Sequence, residues 1–233
     1  MEKDIDDRLE KLEKKYQTIC DLIHIPSKIT AAHIYLSAIR DGFSSFRISQ
    51  VPGNYYDTNI YQRAKAIDPL SPPHISSLCK SLIIQNYSWR ESIYAELSDD
   101  HKQYYEQFYL IVIPYVTTYL PLNFLSFIKE AGAKVGLSIP SRAYHFNFAK
   151  EETSFKLCGY AHNAVTPVGS RTRLVMVLDK SIHEGAKTGF FWLGGGDIDL
   201  KLGLSVKEFT KIYKPLITDV TELRETSDPI FGE

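Results

Sequence analysis

Cys158-Gly159-Tyr160-Ala161-His162-Asn163-Ala164-Val165-Thr166-Pro167-Val168-Gly169 is a polar, turn-rich stretch set between a short helical segment, Glu151 to Leu157, and a strongly apolar strand, Leu174 to Leu178. Regular elements on both sides hold such a loop in place while leaving backbone groups free for a ligand. Gly159 and Gly169 admit unusual φ, Asn163 tolerates the left-handed region, and Pro167 fixes a corner and removes one donor. That composition suits a site built from main-chain groups. The competing reading is a hairpin-like connection that binds nothing.

Outward from this loop, the chain reads as mixed helices and strands. Ile5, Leu9, Leu12, Tyr16, Ile19 and Ile23 recur at alternating steps of four and three within residues 4 to 23, with charged residues between them. This is an amphipathic, heptad-like helix whose stripe needs a partner surface, in its own chain or another. Pro26 ends it, and Ser27-Lys28-Ile29-Thr30 starts a second helix that runs to about Arg40 and stops at Asp41-Gly42. Ser44 to Gln50 alternates as a strand, followed by a turn at Val51-Pro52-Gly53-Asn54. Tyr55 to Pro73, rich in Tyr, Asp and Pro, reads as loop with a short helix around Ile60 to Ala66.

Leu78 to Gln85 and Gln107 to Ile113 read as buried strands. In the first of them, alternation places Lys80 with Leu82 on one face and Cys79, Ser81 and Ile83 on the other. A lysine there is ordinarily an edge-strand guard against aggregation. Leu122 to Ala131 has helical spacing, Tyr144 to Phe148 reads as a strand, and Phe190 to Leu193 is a strand cut off by Gly194-Gly195-Gly196. Ser205 opens a further helix with the Ser and Glu spacing of a capping box. Ile217 to Val220 reads as a last strand. The order of elements predicts an α+β fold, with residues 1–43 as a helical extension and 44–233 as the main domain.

The sequence of 233 residues, 44% hydrophobic, can bury a large core. A net charge of −1 provides no global field for nucleic acid, so any RNA contact must be local. Between residues 129 and 187 there are nine Lys/Arg against five Asp/Glu, a modest basic excess around the loop. Cys20, Cys79 and Cys158 are scattered and odd in number, which favours a reducing compartment over a disulfide framework. The charged start M-E-K-D-I-D-D and the lack of a long apolar run predict a soluble cytoplasmic protein without a membrane span.

Much recognisable chemistry is missing. The seven histidines show no metal-binding spacing, and there is no nucleophile elbow, P-loop or dinucleotide fingerprint. The residues alone leave the chemistry open and imply no cofactor and no metal.

Three stretches together resemble the YbaK / prolyl-tRNA synthetase-associated domain family. Ala149 to Gly169, A-K-E-E-T-S-F-K-L-C-G-Y-A-H-N-A-V-T-P-V-G, looks like its helix and substrate loop. Ser76 to Ile84, S-S-L-C-K-S-L-I-I, resembles its strand with a characteristic lysine, here Lys80. Phe190 to Phe209, with Gly194-Gly195-Gly196, is similar to its closing segment. The resemblance implies a curved, mainly antiparallel, barrel-like sheet with surrounding helices. It also implies an aminoacyl-tRNA deacylase that hydrolyses the ester of a mischarged tRNA, with Ala on a proline tRNA as the first candidate.

On that reading the main chain of Asn163, Ala164, Val165 and Thr166 stabilises the oxyanion, and Pro167 holds their geometry. Lys80 grips a phosphate or the aminoacyl group as a point cation. Gly159, His162, Gly169, Gly194, Gly195 and Gly196 complete the substrate-binding set. The substrate's ribose hydroxyl and a water handle the protons, and His162 is an auxiliary base or a surface hydrogen bonder. The family commonly has glycine where this chain has Asn163, which places a side chain near the aminoacyl group. The alternative is a non-catalytic tRNA-binding or scaffold subunit that meets an aminoacyl-tRNA synthetase or multi-synthetase complex through the N-terminal helix.

Overall fold

The computed structural model describes residues 2–26, 28–185 and 189–232, and the side chains of all of these except residues 2–4, 6 and 7. In chain order the elements are α1 (Glu2–Leu22), α2 (Ile29–Asp41), β1 (Phe46–Gln50), α3 (Ile60–Ile67), β2 (Cys79–Asn86), α4 (Glu91–Tyr94), α5 (Asp99–Lys102), β3 (Phe108–Pro114) and β4 (Thr117–Tyr119). There follow α6 (Pro121–Lys134), β5 (Phe146–Phe148), α7 (Glu151–Cys158), β6 (Val175–Asp179), α8 (Lys180–Gly185), β7 (Phe190–Gly194), β8 (Leu200–Ser205), α9 (Val206–Tyr213), β9 (Leu216–Thr218) and β10 (Thr221–Leu223). Ser27, read as a helix start, lies outside the described residues.

The central sheet has the order β5-β2-β3-β6-β9. β2 and β3 pair antiparallel, Cys79 opposite Pro114 through Gln85 opposite Phe108, whereas β6 runs parallel to β3 and β9 parallel to β6. A second, antiparallel sheet has the order β1-β8-β7, and β4 pairs with β10. The fold is therefore α+β, as the order of elements predicts. Among the described residues the strands form separate sheets and no closed barrel, and the centre mixes parallel with antiparallel pairs.

β3 is the apolar spine. Tyr109 to Ile113 are all buried, the continuous run expected of a strand covered on both faces. On one face Cys79, Ile83, Leu110, Val112, Met176 and Leu178 pack with α2, α9 and the β1-β8-β7 sheet. On the other, Ile84, Tyr109, Ile111, Ile113 and Val177 pack against Phe124 and Ile128 of α6. Leu82 joins this second face, so the alternation read from β2 holds. A third cluster joins Tyr55, Ile60 and Ala64 to Leu78 and Trp192.

The helical hairpin divides its burial unevenly. In α2, Ala31, Ile34 and Ala38 lie in the main core, and the helix closes on Gly42 in the left-handed region. In α1, Cys20 is buried, with Tyr16 and Ile23 packed beside it, whereas Ile5, Leu9 and Leu12 remain 53–63% exposed. The cysteines are all free and buried. Among the described residues no helix is long and apolar enough to cross a membrane.

The expected capping box at α9 is only half formed. Ser205 accepts from the Glu208 amide, but the Glu208 carboxylate leaves its own helix and accepts from the amides of Ser44 and Ser45 at 3.1 and 3.0 Å. Those two amides stand at the entrance to β1, where no helix or strand supplies an acceptor. The carboxylate serves them instead of the Ser205 amide, which bonds to Ser45 O.

Candidate functional site

A cleft of about 400 Å³ opens where the central sheet meets the loop after α7. β5 covers the outer edge of β2 only at Ile84–Asn86. The uncovered stretch, Lys80 to Ile83, forms one wall; His162, Asn163, Val165 and Gly194 form the opposite one; Tyr115 and Phe148 also line it. Residues far apart in sequence thus share one cavity. That juxtaposition gathers Lys80, His162, Asn163, Val165 and Gly194 from the residues singled out by sequence.

The loop is fastened from behind. α7 ends at Gly159, whose φ of +85° would strain any side-chain-bearing residue. Asn163 also lies in the left-handed region, at φ +65°. Asparagine is among the few residues that accept this conformation, so it satisfies the backbone requirement that glycine would meet while adding an amide side chain to the cleft. The Tyr56 hydroxyl donates to the Asn163 carbonyl at 2.6 Å. The Ala164 amide donates to Ala161 O at 3.0 Å, and the Ala164 carbonyl accepts from the Gly196 amide at 3.0 Å.

These bonds determine which donors remain. Ala164 is buried and its N–H is engaged within the loop. The amides of Asn163, Val165 and Thr166 have no partner among the described residues. A trans peptide points its N–H opposite its C=O, so tying Ala164 O to Gly196 turns the Val165 N–H the other way. Thr166 is fully buried, and its hydroxyl has no partner among the described residues.

Gly194 makes this arrangement possible. A Cβ there would stand 2.6 Å from Val165 O and 2.9 Å from the Ala164 carbonyl carbon, both backbone atoms that cannot swing aside. Gly195 closes the turn to β8 through Leu200 O, and Gly196 supplies the amide that anchors Ala164. These two and Gly159 support the loop without lining the cleft. Pro167 and Gly169 line a separate polar groove behind the loop, with Arg40, Arg171 and Arg173.

Among the residues lining the cleft, Glu151 is the acid and Lys80 is the cation. Its ammonium makes no hydrogen bond or ion pair among the described residues and lies 5.9 Å from the Tyr115 ring centroid. Burial lowers its pKa to about 8; repulsion from Arg224 acts the same way and Asp228 opposes it. A desolvated cation with no direct ion pair among the described residues is poised for an anionic or strongly polar ligand.

Beside the cleft is a group that sequence reading missed. Lys201 of β8 is 3% exposed, and its ammonium donates to the Tyr56 hydroxyl at 2.8 Å and to Ile198 O at 3.1 Å. It lies 4.4 and 4.3 Å from the Tyr55 and Tyr56 ring centroids. The Arg63 guanidinium faces the rings of Tyr55, Tyr56 and Tyr115 and is tethered to the carbonyls of Thr58 and Tyr56. The available cue was a lysine flanked by core leucines in L-K-L; nothing local indicated its aromatic partners. No group of three or more His, Cys, Asp or Glu among the described residues could hold a metal ion.

No protein-family model matches the chain, and no curated protein matches it. Solved structures do. A protein described as a candidate trans-editing enzyme for prolyl-tRNA synthetase aligns with a TM-score of 0.59 at 17% identity, over 84% of this chain and 98% of that one. A scaffold protein bearing grafted epitopes aligns with a TM-score of 0.57 at 16% identity, over 84% and 98%. A hypothetical protein aligns with a TM-score of 0.55 at 18% identity, over 82% and 99%. At these identities the likeness is one of fold: the chain has the fold of a candidate editing enzyme, carried over nearly the whole length of that neighbour.

Proposed function

We propose that the chain is an aminoacyl-tRNA deacylase, with residues 44–233 supplying the cleft, that hydrolyses the ester of a mischarged tRNA, with alanine on a proline tRNA as the first substrate to test. The observation that carries this reading is the pairing, across one cleft, of Lys80, which has no direct ion pair among the described residues, with the amides of Asn163 and Val165, which have no partner among them. An aminoacyl ester is already activated, so positioning and oxyanion stabilisation suffice without a side-chain nucleophile. Lys80 holds a phosphate or the polar end of the aminoacyl group. The Val165 amide, directed away from Gly196, and its neighbour at Asn163 supply donors to the developing negative charge. Water attacks with the ribose hydroxyl assisting, and the Asn163 side chain and Phe148 bound the space for the amino acid. His162, exposed at the cleft, hydrogen-bonds the incoming substrate.

A second reading rests on α1. Its first turns leave Ile5, Leu9 and Leu12 largely exposed, a surface suited to an aminoacyl-tRNA synthetase or its assembly, with or without catalysis in the cleft.

The deciding experiment compares hydrolysis of alanyl-tRNA for proline with that of prolyl-tRNA and seryl-tRNA. The wild type hydrolyses the mischarged species, and Lys80→Ala loses roughly 10- to 100-fold, as expected for one charge-assisted contact. Absence of hydrolysis with every substrate overturns the enzyme reading and leaves the α1 surface as the functional element.

A further inference from the structure

We propose that Lys201 and Tyr56 are positioning residues: Lys201 orients the Tyr56 hydroxyl, and Tyr56 fixes the peptide plane between Asn163 and Ala164, the plane that adjoins the Val165 amide facing the cleft. This deepens the deacylase reading and rests on it for the catalytic consequence, but the structural claim can be tested separately. An ammonium group can only donate, and a tyrosine hydroxyl has one proton. With Lys201 donating to Tyr56 at 2.8 Å, that proton is committed to the Asn163 carbonyl at 2.6 Å. The order of donors is therefore fixed, from cation to phenol to carbonyl.

This chain ends on a residue that needs holding. Asn163 occupies the left-handed region at φ +65°, where a side-chain-bearing residue is strained by roughly 1–2 kcal/mol. The β7-β8 hairpin grips two successive carbonyls of the loop, Asn163 through Lys201 and Tyr56, and Ala164 through the Gly196 amide. With the 163–164 peptide held by Tyr56 and the 164–165 peptide held by the Gly196 amide, neither plane can flip without straining the other, and the Val165 N–H keeps its direction. Lys201 is itself held by Ile198 O and by two tyrosine rings, so the support is as rigid as the strand that carries it.

The test uses the full chain with Tyr56→Phe, Lys201→Met and, in case methionine perturbs folding, Lys201→Arg. Hydrogen exchange of the amides in residues 161–168 is the primary readout. Loss of the phenolic hydroxyl speeds exchange there by about 5- to 10-fold, with a smaller change in the same direction for Lys201→Met and the rest of the sheet unaffected. In the hydrolysis assay the same variants lower kcat about tenfold and leave KM within about twofold, because the donors act on the transition state. Loop exchange unchanged in both Tyr56→Phe and Lys201→Met overturns the proposal, as does an acceleration spread evenly over the sheets. If the wild type hydrolyses nothing, the deacylase reading fails, while the exchange data still decide the positioning claim.

Discussion

Two desolvated lysines, the half-buried Lys80 on β2 and the buried Lys201 on β8, flank the same loop and have been treated very differently by the fold. Both lose solvent, and both have their pKa driven down by burial, to about 8 and about 7. Lys201 is given a phenol, a carbonyl and two ring faces. Lys80 is given one distant ring and an open cavity. The difference teaches that desolvation alone does not mark a site. A cation whose donors are spent is part of the scaffold, and one whose donors are unspent is waiting for a ligand.

The strongest way to break that comparison is Lys80→Met. If the open cation binds substrate, hydrolysis falls by roughly 100-fold while the melting temperature rises, since the substitution removes a desolvated charge and keeps the stem. A variant that hydrolyses normally would erase the distinction.

The next largest effect is on stability against pH. Both lysines have folded pKa values below the unfolded value of 10.5, so the unfolded chain binds more protons from about pH 7 upward and stability climbs to about pH 10. Arg63 opposes protonation of Lys201 while Asp197 and Asp199 favour it; Arg224 and Asp228 play the same opposed roles at Lys80. Chemical denaturation at pH 7 and pH 9 should show a gain of about 3–4 kcal/mol, about 2 kcal/mol of it absent in Lys201→Met. Above pH 10 the trend reverses, because burial raises the pKa of Tyr55 and Tyr56 and the unfolded chain ionises first.

Gly194→Ala sharpens the comparison by moving the loop without touching either lysine. Its Cβ meets the Val165 and Ala164 carbonyl groups, which costs about 1–3 kcal/mol in denaturant unfolding and lowers hydrolysis with it. The smallest effect belongs to Asn163→Gly, under about 1 kcal/mol on stability, since glycine takes the same φ at an entropic cost. Its signature is a change in which aminoacyl ester is preferred, read from relative hydrolysis rates.

The elements that form this site were legible to different degrees. The apolar runs of β2 and β3 and the Gly, Asn and Pro punctuation of residues 158–169 carry local signals, so the strands and the loop could be read directly, whereas their pairing in one site came only from the family resemblance. The alternation in β2 also placed Lys80 correctly relative to Leu82. The supporting group was not legible, because Tyr56 meets Asn163 and Lys201 only through tertiary packing, across 107 and 145 residues. Residues 55–73 appeared merely rich in Tyr, Asp and Pro. Glu208 makes the same point in reverse: its spacing from Ser205 signalled a local cap, and two amides at the start of β1 outcompeted it. Barrel-like closure, which depends on distant pairings, is not seen among the described residues, where β6 runs parallel to β3 and β9 parallel to β6.

The parallel pairing of β3 with β6 has a kinetic consequence. Tyr109 aligns with Val175 only after the chain between them has been looped back, an entropic cost met before the contact gives any return. The walls of the cleft come from residues near 80, 163 and 194, on both sides of that closure. No local hairpin can assemble them. Occupancy of the cleft therefore reports completion of the slow, non-local step, and a fluorescent ligand placed there would time the end of folding, after the β2-β3 hairpin has formed.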